Sequence, residues 1–522
     1  MRQTVAFPVP LQWQTYSDSL RAIPVYAMTV ANEKPSYHDA VEKLNSTQTG
    51  YKALQERKGM GRRTDASPLE QMRQWVRRVG YDTSDFDRLN VVHVAGTKGK
   101  GSTCAFVNSI LQSYNRSIGV PRKVGLYTSP HLITVRERIQ INSQPISEEK
   151  FTKYFFEVWN ALESSALREG LDPALKPRYF RFLTLMSFHV FMSEGVDVAI
   201  YEVGVGGEDD STNVIVQPAV TGITTLGIDH VKRLGNTVDK IAWHKAGIFK
   251  NQCPAFTVEQ VLDAMEVLKE RAGEKGAQLA TVTIAPVLRD VDIKPAEDFQ
   301  RKNASLAIAL AYTVLEKLGV SFNKEQGGIP KPFVEGLETV VWRGRCETIT
   351  RGQLHWHLDG AHTEDSLKVA CSWFGRVSKE KNLPRVLIFN QQSARDAIAL
   401  LKCVHRTVYD DFRTNFQYAL FCTNITHKGH SYKVDLDDRN TDPEVLRNLT
   451  LQNELAATWH SLDPSTKAVA LSSIEEAVEY VRNISGHIGE TRALVTGSFR
   501  LVGGALSILE EEDIAHGKAT AN

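Results

Sequence analysis

Asn90-Val-Val-His-Val-Ala-Gly96-Thr-Lys-Gly99-Lys100-Gly101-Ser102-Thr103 joins a run of β-branched residues to a glycine-rich turn that carries a lysine. Asn90 to Ala95 reads as a buried strand. From Thr103 to Tyr114 the residues Phe106, Val107, Ile110 and Leu111 fall on one side of a helix. Strand, glycine turn and helix N-terminus in that order describe a phosphate cradle, because backbone N–H groups and the helix dipole both favour an anion there. Gly96, Thr97, Lys98, Gly99, Lys100, Gly101, Ser102 and Thr103 are therefore the candidate nucleotide-binding residues. Lys100 is placed to neutralise outer phosphates, and a hydroxyl of Ser102 or Thr103 to approach a phosphate or Mg²⁺. The spacing departs from the eight-residue phosphate-loop pattern. Val94 stands where that pattern has its first glycine, and Gly101 separates Lys100 from Ser102.

Outward from this turn, short β-rich runs alternate with longer helical patterns from Tyr37 to about Gly319, which is the signature of a mainly parallel sheet covered by helices. Strands are expected at Val124 to Tyr127, Val196 to Val203 and Val220 to Leu226. Helices are expected at Phe151 to Arg168, Tyr179 to Met192, Val238 to Ile248 and Asp298 to Leu318. The breakers in Gln326-Gly-Gly-Ile-Pro-Lys-Pro-Phe333 place a boundary between that stretch and Arg343. After it, strands at Leu354 to Leu358, Val386 to Phe389, Tyr418 to Phe421 and Ala493 to Val495 predict a second α/β domain, with the polar Lys433 to Pro464 as an excursion or a surface loop with some helix. The expected division is an extension over 1–35, a nucleotide-binding domain over 36–335, a linker over 336–342 and a smaller Rossmann-like domain over 343–515.

A chain of 522 residues exceeds one ordinary core. Its 42% hydrophobic and 24% charged content is that of a soluble globular protein, and a net charge of +1 gives no general attraction to nucleic acid or anionic lipid. Six scattered cysteines without a CxxC pair suggest reduced, mostly buried thiols. No apolar run approaches the roughly 18 residues of a membrane span. Residues 1–27 hold Arg2 and Arg21 against one acid, Asp18. They are read as a disordered tail, with a weak likeness to a mitochondrial presequence, and Met28 is an alternative start.

In an open α/β sheet, ligands gather at the carboxyl ends of strands. Polar residues occur at those ends repeatedly: Thr128-Ser129-Pro-His131, Glu202-Val-Gly204-Val-Gly206-Gly207 and Asp229-His230, with Lys245 on the following helix beside His244. Glu202 with the Ser129 hydroxyl would suit Mg²⁺, and His230 is a less typical ligand for so hard a cation. Each has a plainer reading as a turn cap, an ion-pair partner or a core histidine. The second domain offers Arg345, Asp359-Gly-Ala-His362, Asn390 and Thr496-Gly-Ser498, from which an arginine and an aspartate can close on a nucleotide. Asp359 could instead be a helix N-cap.

Taken together, Gly96-Thr-Lys-Gly-Lys-Gly-Ser102, Ser129-Pro-His-Leu132, Glu202-Val-Gly-Val-Gly-Gly207 with Thr212-Asn213, Leu226-Gly-Ile-Asp-His230, Ile241-Ala-Trp-His-Lys-Ala-Gly-Ile-Phe-Lys250, Asp359-Gly-Ala-His362 and Thr496-Gly-Ser-Phe-Arg-Leu-Val-Gly503 resemble the folylpolyglutamate synthases of the Mur ligase superfamily. The likeness is collinear from about Tyr37 to about Leu509. Val135-Arg-Glu-Arg-Ile139, Tyr179-Phe-Arg-Phe-Leu-Thr-Leu185 and Thr363 resemble its eukaryotic branch.

The resemblance implies an ATP-binding domain, a Rossmann-like C-terminal domain and ATP-driven addition of L-glutamate to reduced folate polyglutamates through an acyl phosphate. Dihydrofolate synthase activity and a nucleotide-dependent switch are the alternatives. By position it implies Lys100, Lys245 and His230 in catalysis, Asn303, Arg345 and Asp359 on the nucleotide, and Ser129, Glu202 and His230 on Mg²⁺. It also implies a monovalent cation such as K⁺, a carbamylated Lys245, a monomer, and a cytoplasmic or mitochondrial setting without nucleic-acid or stable membrane partners. The chain departs from the pattern at Glu208-Asp209-Asp210-Ser211, His244 and Arg343.

Overall fold

The computed structural model describes residues 34–50, 67–322, 328–378, 383–392, 395–429, 433–437, 439 and 441–515. Residues 1–27 and Met28 lie outside them, and the body considered below is Tyr37–Asn522.

Eight strands form the first sheet: β1 (Val92–Ala95), β2 (Val124–Tyr127), β3 (Ile139–Ile141), β4 (Gln144–Pro145), β5 (Val198–Glu202), β6 (Val220–Ile223), β7 (Pro254–Val258) and β8 (Gln278–Val282). Their order is β4-β3-β2-β5-β1-β6-β7-β8, parallel except for β3 and β4. Helices cover both faces, which explains the continuously apolar central strands. On β5 the alternation is explicit. Val198 and Ile200 pack with the Lys100–Ile118 and Asp298–Lys317 helices, while Ala199 and Tyr201 pack with Glu148–Arg168 and Tyr179–Glu194.

The second sheet comprises β9 (Glu347–Arg351), β10 (Leu354–Asp359), β11 (Arg385–Phe389), β12 (Tyr418–Cys422), β13 (Lys467–Leu471) and β14 (Thr491–Thr496). Its order is β13-β12-β11-β14-β10-β9, and only β9 is antiparallel to its neighbour. Trp356, Ile388, Leu420 and Val495 face the Ile474–Ile488 and Phe499–Ala515 helices. The six cysteines are free thiols, five of them buried and Cys346 half-buried. Among the described residues no helix is long and apolar enough to cross a membrane.

Several elements depart from the sequence expectation. β8 and β9 are half-exposed strands without a continuous apolar run, and β13 is a half-exposed edge strand whose short run, Ala468 to Leu471, the sequence reading passed over. The helix expected to end at Ile248 stops at Lys245 and tightens into a 3₁₀ turn. The Lys331–Glu338 helix runs into the stretch read as a linker, and a Cβ on Gly336 would lie 2.6 Å from the Ile110 backbone. The excursion read as a surface loop with some helix contains the Thr450–Leu462 helix, and the burial of Gln452, Leu455 and Trp459 beneath it is the part not expected. Two large side chains suffice to anchor it, too few to give a visible apolar period.

The excursion also ties the lobes together. Buried Asp435 accepts hydrogen bonds from Tyr37 Oη at 2.6 Å and from the Val135 amide at 2.8 Å, and Asn45 donates to the Val434 carbonyl at 2.8 Å. Leu132 of the first lobe is wedged against Gly344 and Gly503 of the second. A Cβ on Gly503 would fall 1.8 Å from the Leu132 carbonyl oxygen, so backbone must move to admit it. Gly503→Ala is expected to lose about 1–3 kcal/mol of stability, read as a lowered denaturation midpoint. An unchanged midpoint would show that the helix and the Leu132 turn separate freely.

Candidate active site

β1 lies between β5 and β6, so the turns leaving these three strands share one crevice. The turn after β1 is braced from behind. Gly96 has φ +147°, and a Cβ there would meet Thr224 Oγ1 at 1.8 Å. Gly99 has φ +87°, and a Cβ there would lie 2.2 Å from Asn303 Oδ1. Buried Asn303 is itself held by Gln300, to which it donates at 2.9 Å.

The cradle is narrower than its glycines suggest. The amides of Thr97 and Lys98 both donate to the Thr225 carbonyl, at 3.0 and 3.1 Å, and the Thr97 hydroxyl bonds Gly227 O at 3.0 Å. The first helical hydrogen bond runs from Thr103 N–H to Gly99 O, and no side chain caps the helix. The amides of Lys100, Gly101 and Ser102 are therefore the ones offered to an anion. The Thr103 hydroxyl is buried and has no hydrogen-bond partner among the described residues. Lys98 pairs across the cleft with Asp365 of the second lobe.

Glu202 ends β5 and is 6% exposed. Its Oε2 accepts the Ser129 amide at 3.1 Å, which brings those two residues together. Burial raises the Glu202 pKa, opposed by the charges of Lys100, Arg345 and Arg138 and by the Ser129 hydrogen bond. Lys245 is equally enclosed and donates to the Gly96 carbonyl at 2.7 Å. Burial first, and then repulsion from Lys100, lower its pKa to about 7, against the attraction of Asp229 and Asp210.

His230 is half-exposed at φ +50° and does not share this enclosure. Its amide bonds Asp229 Oδ1 at 2.8 Å, and its pKa is lowered chiefly by partial burial.

From the second lobe, Arg345 stacks 4.3 Å from the Phe499 ring centroid and lies 3.8 Å from Asp359. Asp359 holds its own loop, accepting the Cys346 and Ala361 amides, each at 2.8 Å. It caps no helix, because Thr363 and Ser366 bond each other's amides at the start of the Glu364–Ser378 helix. Burial and then Arg345 push the His362 pKa down to about 4. Asn390 is engaged with Gln392, Asn424 and Gln452. A cavity of about 520 Å³ lies between the phosphate turn and the second lobe, lined by Ser102, Phe106, Gln300, Trp342, Arg345 and Trp373 among others. Its aromatic walls and cationic end suit a base and its phosphates.

The acidic departure is resolved residue by residue. Glu208 pairs with Arg271 and Lys275, Asp210 accepts the Val205 and Thr212 amides, and Asp209 is solvent-exposed. Arg343 pairs with Glu347 and Glu510. His244 is half-buried beside exposed Trp243.

Sequence reasoning missed Arg138, Asp365, Arg395 and Trp342. Buried Arg138 donates to His131 Nδ1 at 2.9 Å, which leaves the His131 Nε2–H to bond Asp435 O at 2.9 Å. A buried arginine inside the quoted Val135–Ile139 stretch was its available signal. The partners of Asp365 and Arg395 lie on the other lobe, so no local pattern marks them.

No family model matches the chain. Folylpolyglutamate synthase of Neurospora crassa is 53% identical over 493 residues, covering 93% of each chain. The enzyme of the same name from Saccharomyces cerevisiae strain S288c is 45% identical over 494 residues, covering 92% of this chain and 88% of its own. A solved FPGS–AMPPCP–folate complex superposes with a TM-score of 0.66 at 22% identity, over 91% of this chain and 100% of that one, and so shares the fold. With identity of this level across nearly the whole length, the chain belongs to the folylpolyglutamate synthase family.

Proposed function

We infer that the chain is an ATP-dependent, ADP-forming ligase that adds L-glutamate to the γ-carboxylate of the glutamyl tail of reduced folates. The observation that carries this reading is the convergence of Lys100, Glu202 and Arg345 from two lobes on one buried electrostatic site, in a chain of this family. Its relatives' names and the FPGS–AMPPCP–folate complex support the nucleotide and folate as ligands.

A carboxylate is a poor electrophile, and two anions must approach each other before it can be activated. The amides of Lys100, Gly101 and Ser102 and the Lys100 ammonium would seat the phosphates, with Arg345 closing from the opposite side. Transfer of the γ-phosphoryl group to a tail carboxylate oxygen gives an acyl phosphate and ADP. The amine of glutamate, having lost a proton, attacks the acyl carbon, and inorganic phosphate leaves as the amide forms. His230, held neutral by partial burial and neighbouring cations, can take that proton. Buried Glu202, with one hydrogen bond among the described residues, fits a hard cation, as does the Ser129 hydroxyl. Glu202 and the Ser129 hydroxyl would hold Mg²⁺, and His230, at the rim, is left free for the proton. When bound, the cation supplies further neutralisation of the phosphates.

Lys245 is suited to carbamylation, in which a neutral amine adds CO₂ and releases a proton. The product is an anion that would attract Lys100 where the ammonium repels it. With a pKa of about 7, the neutral fraction grows from about one-tenth near pH 6 to about nine-tenths near pH 8. In ¹³C-bicarbonate the carbamate signal of the folded protein should rise over that interval and vanish in Lys245→Ala. A signal that persists in the variant would exclude Lys245 as its source.

Lys100→Ala and Glu202→Ala are each expected to lower ligation by about 100-fold or more while the protein stays folded. Near-normal turnover by either purified variant would remove that residue from the reaction. The reading as a whole is tested by incubating the protein with Mg²⁺, ATP and labelled glutamate, and either a reduced folate monoglutamate or dihydropteroate. Label should enter the reduced folate. Label entering only dihydropteroate, or ATP turnover indifferent to folate and glutamate, would overturn it.

A further inference from the structure

Among the described residues, ion pairs join the lobes at Lys98 with Asp365, Glu297 with Arg376, Asp229 with Arg395, and Glu42 with Arg439. The third differs from the others in shape and shelter. One terminal nitrogen of Arg395 reaches both oxygens of Asp229, at 3.1 and 3.3 Å, and neither side chain is more than about 28% exposed. Asp365 in the first pair is 69% exposed, which leaves that contact to screening by water and salt.

Asp229 does two things with its carboxylate. Oδ1 accepts the His230 amide at 2.8 Å, and both oxygens accept the Arg395 guanidinium. His230 has the left-handed φ of +50° and begins a helix of only four residues, Val231–Leu234, so its conformation is not secured by long regular structure. The Asp229 bond fixes the amide of this turn, and Arg395 fixes Asp229. The chain that links the second lobe to His230 thus consists of two consecutive side-chain contacts. The Arg395 side chain is itself largely covered, about 28% exposed.

We propose that Arg395 is a positioning residue for the ligation reaction: through Asp229 it sets the His230 turn against the phosphate loop when the lobes are closed. The role of the turn rests on the functional reading above, whereas the coupling of Arg395 to lobe closure does not. Because one terminal nitrogen makes both contacts, the reach and charge of the side chain carry this work, and a lysine retains part of both. A surface pair of ordinary strength would change neither turnover nor lobe geometry measurably.

Full-length Arg395→Ala, Arg395→Lys, Asp229→Ala and the double alanine variant are compared with wild type for kcat, KM for MgATP, thermal midpoint, and radius of gyration with and without a non-hydrolysable ATP analogue. Arg395→Ala should lower kcat by about tenfold or more, with KM for MgATP changed by less than about threefold and the midpoint within about 2 °C of wild type. Its radius of gyration with the analogue should exceed that of wild type. Arg395→Lys should recover part of the loss, and the double variant should be no worse than the more impaired single one. Wild-type kcat in Arg395→Ala, multiplying losses in the double variant, or a loss matched by a fall in midpoint would overturn the proposal. If wild type itself fails to ligate, the functional reading fails, and analogue-induced compaction still decides whether Arg395 couples the lobes.

Discussion

The carboxylate of Glu202 sits buried at the end of a central strand, with one hydrogen bond among the described residues. Enclosing a carboxylate in this way costs several kcal/mol unless positive charge is brought to it. One phosphate-loop lysine and two arginines, one of them from the second lobe, supply that charge. The constraint reaches through the molecule. The turn after β1 must present Lys100 towards β5, and the second sheet must stand close enough for Arg345 to act on the same group. Lys245 shows the other side of the balance, since the Lys100 charge that steadies Glu202 also helps to strip the proton from Lys245.

Backbone proximity makes this placement rigid. A Cβ on Gly207 would lie 2.6 Å from the His244 carbonyl, and one on Gly247 would lie 2.3 Å from the Glu208 backbone. The turn after β5 and the end of the Lys245 helix are thereby packed main chain against main chain. The Glu208 amide adds a hydrogen bond to the His244 carbonyl at 2.7 Å. Lys245 consequently has little freedom to leave the crevice, and its ammonium is held on the Gly96 carbonyl. Of the acidic residues in this loop, Glu208 is paired with Arg271 and Lys275, Asp209 faces solvent, and Asp210, held on two amides, directs its charge at Lys245.

The parts of this arrangement that were legible in the sequence are those encoded locally. β2 and the central strands announce themselves because burial on both faces demands unbroken apolar runs, and the strand ends then locate Ser129, Glu202 and Asp359. The half-exposed strands β8 and β9 carry no such run, β13 has only a short one made half of alanine, and the helix holding Trp459 spends only two large side chains on its core. The assignment of amides in the phosphate turn was hidden for a different reason. Whether Thr97 and Lys98 face a ligand or the Thr225 carbonyl depends on a residue more than a hundred positions away. The pairing of Asp229 with Arg395 is likewise a product of tertiary closure: Asp229 shows as a strand-end acid, but nothing local marks Arg395 as its partner.

The charge balance at Glu202 is the centre of this account, and a structure determined with ADP and Mg²⁺ examines it most directly. The account requires the phosphates on the amides of Lys100, Gly101 and Ser102, with the cation about 2.1 Å from a Glu202 carboxylate oxygen. Phosphates bound away from these amides, or a cation coordinated without Glu202, would contradict it.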